Sequence, residues 1–250
     1  MELKEFFNNY PSVAVAFSGG TDSSYLLYEA KQCAQSVRAY YVKSAFQPQF
    51  ELRDAERLVE ELDVPMTVID VDVLSDPEIV SNTQRRCYHC KRRIFTTIKE
   101  RALGEGFSVL LDGTNASDNA SDRPGMEALE ELSVLSPLRL CGLKKADIRR
   151  LSKEAGLFTW DKPAYACLAT RITSGQTIDA YLLARTEAAE DFLSSLGFND
   201  FRVRTVGNMA RIQLRAADIP LAMEHRKQIL ETLGKEYKGV LLDLETRDGE

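Results

Sequence analysis

The sequence predicts an α/β protein, a parallel sheet with helices on both faces, joined to a small α+β part. Two observations predict it. Four short apolar, β-rich runs alternate with helical patterns early in the chain, and the texture changes after about residue 175. Strands separated by helices give a parallel sheet with covered faces.

The strands are VAVAF at 13–17, VRAYYV at 37–42, MTVIDVDV at 66–73 and VLLDG at 109–113. Between and after them, Ser23–Gln35, Glu51–Leu62, Lys91–Leu103 and Lys144–Ala155 carry apolar residues at helical spacing, the last with Gly156 as a stop. The opening MELKEFFNNYPSVAVAF is read as acidic chain running directly into the first strand, unlike a secretory signal. Later come a helix over Thr177–Leu196 stopped by Gly197, the strands FRVRTV and ARIQLR, a helix over Leu221–Leu233 with His225 solvated in its middle, and the strand GVLLDLE. The expected division is 1–172 for the α/β part and 177–250 for the smaller α+β part, with the boundary in TSGQT. The terminal TRDGE is expected to fray.

Composition narrows the function. A net charge of −6 argues against broad, charge-driven binding of nucleic acid, which depends on Lys and Arg neutralising many phosphates. No apolar run approaches the roughly 20 residues that span a bilayer, so a cytoplasmic protein is expected. Five cysteines are an odd set for a secreted disulfide framework, and a cytosolic C-x-x-C points to metal or redox chemistry.

VAVAFSGGTDSS places Ser18, Gly19, Gly20, Asp22 and Ser23 between a buried strand and a helix start. Glycines let the backbone turn tightly against an anion, and the amides and positive end of the following helix favour phosphate. Ser18 and Ser23 add hydroxyls, and Asp22 is placed to hold a Mg2+ ion bridging phosphate oxygens. ATP is the natural ligand. The string is not the G-x-x-x-x-G-K-[ST] loop, which does not occur in this chain.

Cys87 and Cys90 lie in RRCYHCKRR and Cys167 in WDKPAYACLATR, both crowded with cations that favour the thiolate. Three soft ligands are able to hold three irons of a [4Fe-4S] cluster and leave the fourth open for sulfide. A structural zinc site using His89 as well, or a redox dithiol, stays open as an alternative. Cys33, on the apolar side of a helix, and Cys141 read as structural. Lys162 and Arg171, five residues before and four after Cys167, are candidate phosphate holders. Arg202 and Arg204 flank Val203 on a strand, so both point to one face as an anion clamp.

The SGGTDSS loop resembles the PP-loop of the N-type ATP pyrophosphatases, which implies cleavage between the α and β phosphates and an adenylated substrate. The resemblance also implies that Ser44 contacts the adenosine and that Gly113, Thr114 and Asn115 of LDGTNASD close over the nucleotide. With RCYHCK, WDKPAYACLATR and FRVRTVGNMARI added, the chain resembles the LarE family along nearly its whole length. That resemblance implies an ATP-dependent sulfur transferase of nickel-pincer nucleotide cofactor synthesis. It would adenylate the carboxylates of a pyridinium dicarboxylate mononucleotide and convert them to thiocarboxylates, with Arg202, Arg204 and Glu190 at the substrate phosphate. Members with only the cysteine matching Cys167 sacrifice its sulfur; the addition of Cys87 and Cys90 resembles members that carry a [4Fe-4S] cluster. Hexamers are known in the family, so a homo-oligomer is expected. The competing readings are a tRNA thiolation enzyme, a PP-loop amide ligase, and a zinc-stabilised nucleotide-binding module without catalysis.

Overall fold

A computed structural model of the chain describes residues 2–118 and 124–247, so the end of the TRDGE segment expected to fray lies outside the described residues. In chain order the elements are α1 (Leu3–Asn9), β1 (Ser12–Ala16), α2 (Thr21–Cys33), β2 (Ser36–Lys43), α3 (Gln49–Glu61), β3 (Met66–Asp70), α4 (Pro77–Val80), α5 (Arg86–Gly104) and β4 (Leu110–Leu111). They continue with α6 (Pro124–Glu131), α7 (Pro137–Leu140), α8 (Lys145–Glu154), α9 (Ala180–Ser195), β5 (Arg202–Val206), β6 (Met209–Gln213), α10 (Ile219–Glu224), α11 (Arg226–Leu233) and β7 (Gly239–Leu242). The chain divides into two compact units. One runs to Val73 and resumes from Gln84 to Ala164; the other takes Leu74–Thr83 and everything from Tyr165.

Among the described residues, the first unit holds a four-stranded, all-parallel sheet in the order β3-β2-β1-β4. Central β1 is covered on both faces, which is why its sequence is a continuous apolar run: Val13, Ala14 and Val15 are fully buried. Leu26, Leu27 and Ala30 of α2 and Ala55 and Leu58 of α3 join the same core. Each such valine or leucine contributes about 1.5–3 kcal/mol on burial. From β1 the chain steps outward to β2 and β3, then returns to place β4 on the other side of β1. That reversal creates a switch point between β1 and β4, where open α/β sheets bind ligands at the carboxyl ends of their strands.

The second unit pairs β5 with β6 antiparallel and β6 with β7 parallel. Its core gathers Leu193 of α9, Val203 of β5, Ala210 and Ile212 of β6 and Leu233 of α11. Asn82 ties the Leu74–Thr83 segment into this unit: 1% exposed, it donates from Nδ2 to the carbonyls of Thr173 at 2.9 Å and Gln176 at 3.2 Å.

Several expectations are corrected. The chain does not open directly into a strand: Leu3, Phe6 and Phe7 bury one stripe of α1 first. The helix expected from Lys91 begins at Arg86, so Cys87 and Cys90 sit within its first five residues. Basic residues oppose the positive end of a helix, which hid this start; packing of Tyr88, whose hydroxyl donates to Glu131 at 3.0 Å, holds the turn. The helix around 221–233 is broken at His225, where α10 ends and α11 starts.

Candidate functional site

The carboxyl ends of β1, β2 and β4 lead directly into Ser18, Ser44 and Gly113. The three stretches expected at the nucleotide are therefore brought to one edge of one sheet. After β1 the backbone turns through Gly19, whose φ of +72° is in the left-handed region, and Gly20 caps α2. A side chain at Gly19 would also meet the Glu51 carbonyl oxygen of α3 at 3.2 Å, so both conformation and space require glycine. The Ser18 amide donates to Ser23 Oγ at 3.3 Å, the two hydroxyls lie 3.0 Å apart, and Ser23 Oγ donates to the Gly20 carbonyl at 3.1 Å. This lacing curls the loop around the amino end of α2, a 13-residue helix whose dipole favours an anion there.

Gly113 closes the edge from the β4 side. A Cβ on it would lie 2.9 Å from the Ser23 amide nitrogen, so the loop after β4 packs backbone to backbone on the phosphate loop. Asp112 pins that loop, accepting from the hydroxyls of Thr114 and, at 2.6 Å, Ser136. Asn115 is buried and its Oδ1 accepts from the Ser117 amide at 2.7 Å. Ser44 lies in a turn after β2, its hydroxyl donating to Gln47 Oε1 at 2.6 Å.

Lys162 reaches the loop: its Nζ donates to the Gly19 carbonyl at 3.2 Å and to Asp54 Oδ2 of α3 at 2.6 Å. Asp22 occupies the first turn of α2, with Oδ2 bound by Lys145 at 2.6 Å and Oδ1 buried without a hydrogen-bond partner. An orphaned carboxylate oxygen beside a phosphate loop fits a divalent cation. Sequence reasoning missed Lys145, Asp54, Asp112 and Ser136, because their roles arise from contacts between distant segments.

The second unit builds its own polar cluster. Arg171 is 1% exposed and donates from Nε to Glu190 Oε1 at 2.8 Å. Glu190 Oε1 also accepts from the Val203 amide at 2.9 Å, and its Oε2 from the Tyr165 hydroxyl at 2.6 Å. Burial alone would lower the Arg171 pKa; the Glu190 carboxylate more than offsets it and leaves Arg171 above its ordinary value. Arg202, 5% exposed, is depressed by burial and then by Arg171 and Arg247. Its guanidinium carbon stands 5.1 Å from the Tyr165 ring centre, and that of Arg171 4.4 Å. Arg204, on the same side of β5, donates to the Thr170 carbonyl at 2.9 Å. Arg171 and Arg202 thus stand over the ring of Tyr165, which sequence reasoning overlooked inside the WDKPAYACLATR string.

Cys87 and Cys90 are three residues apart at the start of α5, a spacing that puts both thiols on one side of a helix. Cys87 is exposed and Cys90 half-buried, and Arg86 Nη2 lies 3.5 Å from the Cys87 sulfur. Cys167 caps the 3₁₀ turn Leu168–Arg171 in the second unit. The α5 pair fits two positions of a thiolate-bound group. Among the described residues no three of His, Cys, Asp and Glu are gathered to hold a metal. Burial pushes the thiols of Cys33 and Cys141 up, away from the reactive form. No helix among the described residues is long and apolar enough to cross a membrane.

Residues 12–93 match the profile of the queuosine biosynthesis protein QueC family. The pyridinium-3,5-bisthiocarboxylic acid mononucleotide synthase of Lactiplantibacillus plantarum is 34% identical over 93% of this chain and 85% of its own. An uncharacterised protein of Synechocystis sp. is 32% identical over 97% of this chain and 92% of its own. A tRNA-specific 2-thiouridylase of Clostridium botulinum is 26% identical over 60% of this chain and 52% of its own. With a phosphate loop at the switch point of a parallel sheet and a synthase relative matching over 93% of the chain, the chain belongs to the LarE family of the PP-loop superfamily, the ATP-dependent sulfur transferases of nickel-pincer nucleotide cofactor synthesis.

Proposed function

We propose that this enzyme adenylates the carboxylates of a pyridinium dicarboxylate mononucleotide and converts them to thiocarboxylates. The observation that carries the reading is the phosphate loop at Ser18–Ser23, laced and closed by Gly113, in a chain 34% identical along most of its length to a synthase named for such a product. A carboxylate is a poor electrophile, and attaching AMP gives it a leaving group, so ATP is used before sulfur attacks. Ser18, Gly19, Gly20 and Ser23 hold the phosphates, Ser44 and Gly113–Asn115 hold the nucleoside side, and Lys162 supplies a point charge at the loop. Asp22 holds Mg2+ through the oxygen that otherwise lacks a partner.

In this reading residues 1–172 use the nucleotide, and 177–250 hold the substrate and contribute to a homo-oligomer. Arg202 and Arg204 take the substrate phosphate, as paired guanidiniums on one face suit an anion. Glu190 fixes Arg171 and Tyr165 beneath it. Cys87, Cys90 and Cys167 would together hold a [4Fe-4S] cluster, which when bound supplies an open iron for sulfide. The α5 pair, Cys87 exposed and Cys90 half-buried, supports two of those ligands.

The test is anaerobic purification with iron, sulfide and zinc analysis of the wild type and of Cys87→Ala, Cys90→Ala and Cys167→Ala, followed by a single turnover with ATP and pyridinium-3,5-dicarboxylate mononucleotide. About four irons per chain are expected, lost in each single variant, with pyrophosphate release and a product mass showing sulfur in place of oxygen. Zinc or no metal overturns the cluster and returns Cys167 to the role of a sacrificial donor. No pyrophosphate overturns the adenylation itself.

A further inference from the structure

The ammonium of Lys145 lies 2.6 Å from Asp22 Oδ2, and the side chains are 33% and 23% exposed, so solvent-borne ligands reach the pair. Asp22 belongs to the first turn of α2, directly after the phosphate loop. Its other oxygen is buried and unpartnered. Lys145 is also tied to the loop expected over the nucleotide. Its backbone amide donates to Ser117 Oγ at 3.1 Å, the Ser117 amide donates to Asn115 Oδ1 at 2.7 Å, and the Ala116 amide donates to the Leu143 carbonyl at 2.8 Å. The start of α8 is thereby laced to one wall of the nucleotide site while the Lys145 side chain reaches the opposite wall.

We propose that Lys145 is a second phosphate-binding cation of the ATP site, parked on Asp22 until Mg·ATP arrives and then handed to the phosphates. The proposal rests on the reading of Ser18–Ser23 as an ATP site. A divalent ion on Oδ1 and an ammonium on Oδ2 of one carboxylate repel each other, so the metal and Lys145 compete for Asp22. Polyphosphate resolves the competition, because it offers the ammonium new oxygens at the moment it brings the metal. Lys162 is held the same way on the other flank of the loop, on Asp54 at 2.6 Å. Two lysines parked on carboxylates keep the empty loop from carrying unbalanced positive charge. Both become available to a triphosphate that brings about four negative charges partly neutralised by Mg2+.

The handover predicts that the affinities for nucleotide and for magnesium move in opposite directions. In Lys145→Gln the affinity for an ATP analogue blocked between the α and β phosphates should fall roughly 10- to 100-fold, the worth of one charge-assisted hydrogen bond. The magnesium concentration giving half-saturation should fall as well, since Asp22 is no longer occupied. A merely structural salt bridge would leave both unchanged or worsen both together, and either result overturns the proposal. Lys145→Arg should recover much of the nucleotide affinity, and Arg150→Gln, in an exposed pair on the same helix, should behave as wild type.

Should Lys145→Gln not fold, amine labelling of the wild type read by mass spectrometry decides. Labelling of Lys145 must change when the Mg·analogue is added, and an unchanged Lys145 overturns the handover. If Lys162→Gln loses the analogue and Lys145→Gln does not, the ATP site stands and the Lys145 role fails. If the wild type does not bind the analogue at all, the ATP reading fails and takes this inference with it.

Discussion

Replacing Gly113 by alanine adds one methyl group where the loop after β4 meets the phosphate loop. Its Cβ would stand 2.9 Å from the Ser23 nitrogen, 3.1 Å from the Ser23 Cα and 3.3 Å from the Asp22 carbonyl carbon. All three are backbone atoms of the first turn of α2, so no flexible side-chain end is there to yield. The shortest approach falls about half an ångström inside ordinary contact. Retreat on the Gly113 side is opposed by Asp112, which holds Thr114 and Ser136 and donates its amide to the Leu135 carbonyl at 2.9 Å. Overpacking of this kind costs about 1–3 kcal/mol, and each kcal/mol shifts the melting temperature by about 2–4 °C in a chain of this size. Because the displaced atoms belong to the turn that the proposed function sets at the phosphates, affinity for ATP should fall at least ~10-fold, about 1.4 kcal/mol. Calorimetry gives the first quantity and titration of an ATP analogue the second. Gly104→Ala is the control, since a methyl there meets nothing within 4 Å. A Gly113→Ala protein that melts and binds as wild type would refute the contact. Lowered stability with unchanged ATP binding would place the nucleotide elsewhere.

Two further outcomes follow from the polar networks. Glu190→Gln leaves the Arg171 guanidinium buried without its counter-ion and should cost about 3–5 kcal/mol, seen as a lower urea midpoint with unchanged slope; a loss under about 1 kcal/mol would show that Arg171 finds its charge balance elsewhere. For Glu105, burial alone would raise the pKa, but hydrogen bonds from Arg101 and Tyr40 hold it below its ordinary value. A depressed carboxylate stabilises the fold above the ordinary carboxylate range and loses that contribution as pH falls through the lowered value. Glu105→Gln should therefore lose less stability than wild type between neutral and acid urea titrations, and equal losses would refute the coupling.

The doubly wound part was legible because its period signals are strong: the unbroken VAVAF run marks a strand covered on both faces, and SGGTDSS marks the turn that follows. The switch point was not written in any one segment. It depends on β4 returning beside β1, a pairing of only Ala14 with Leu110 and Val15 with Leu111. The start of α5 was hidden by cations where a helix prefers acids, and α1 by its brevity, although Leu3, Phe6 and Phe7 carry the right spacing. At the site, glycines and serines were readable because a phosphate turn demands them. Asp54, Lys145 and Asp112 were not, because an isolated charge in a surface-like stretch reads the same whether it faces water or a partner more than a hundred residues away, as Lys145 and Asp22 are.

The excursion of Leu74–Thr83 into the second unit bears on how the chain is made. Asn82 emerges from the ribosome 90 residues before Ile172, whose carbonyl its side chain reaches, and 94 before Gln176. At a synthesis rate of roughly 5–20 residues per second, that is a wait of roughly 5–20 s. Throughout it the loop between β3 and α5 is tethered at both ends to segments of the first unit while its own partners do not yet exist. Expression of residues from Tyr165 onward as a separate fragment would omit Asn82 and its donation to the carbonyls of Thr173 and Gln176, of which that of Thr173 keeps the Gln176 amide at 3.0 Å. The second unit therefore draws its segments from both sides of the first in sequence, and its Leu74–Thr83 part gains its partners only after the stretch from Tyr165 onward has been made.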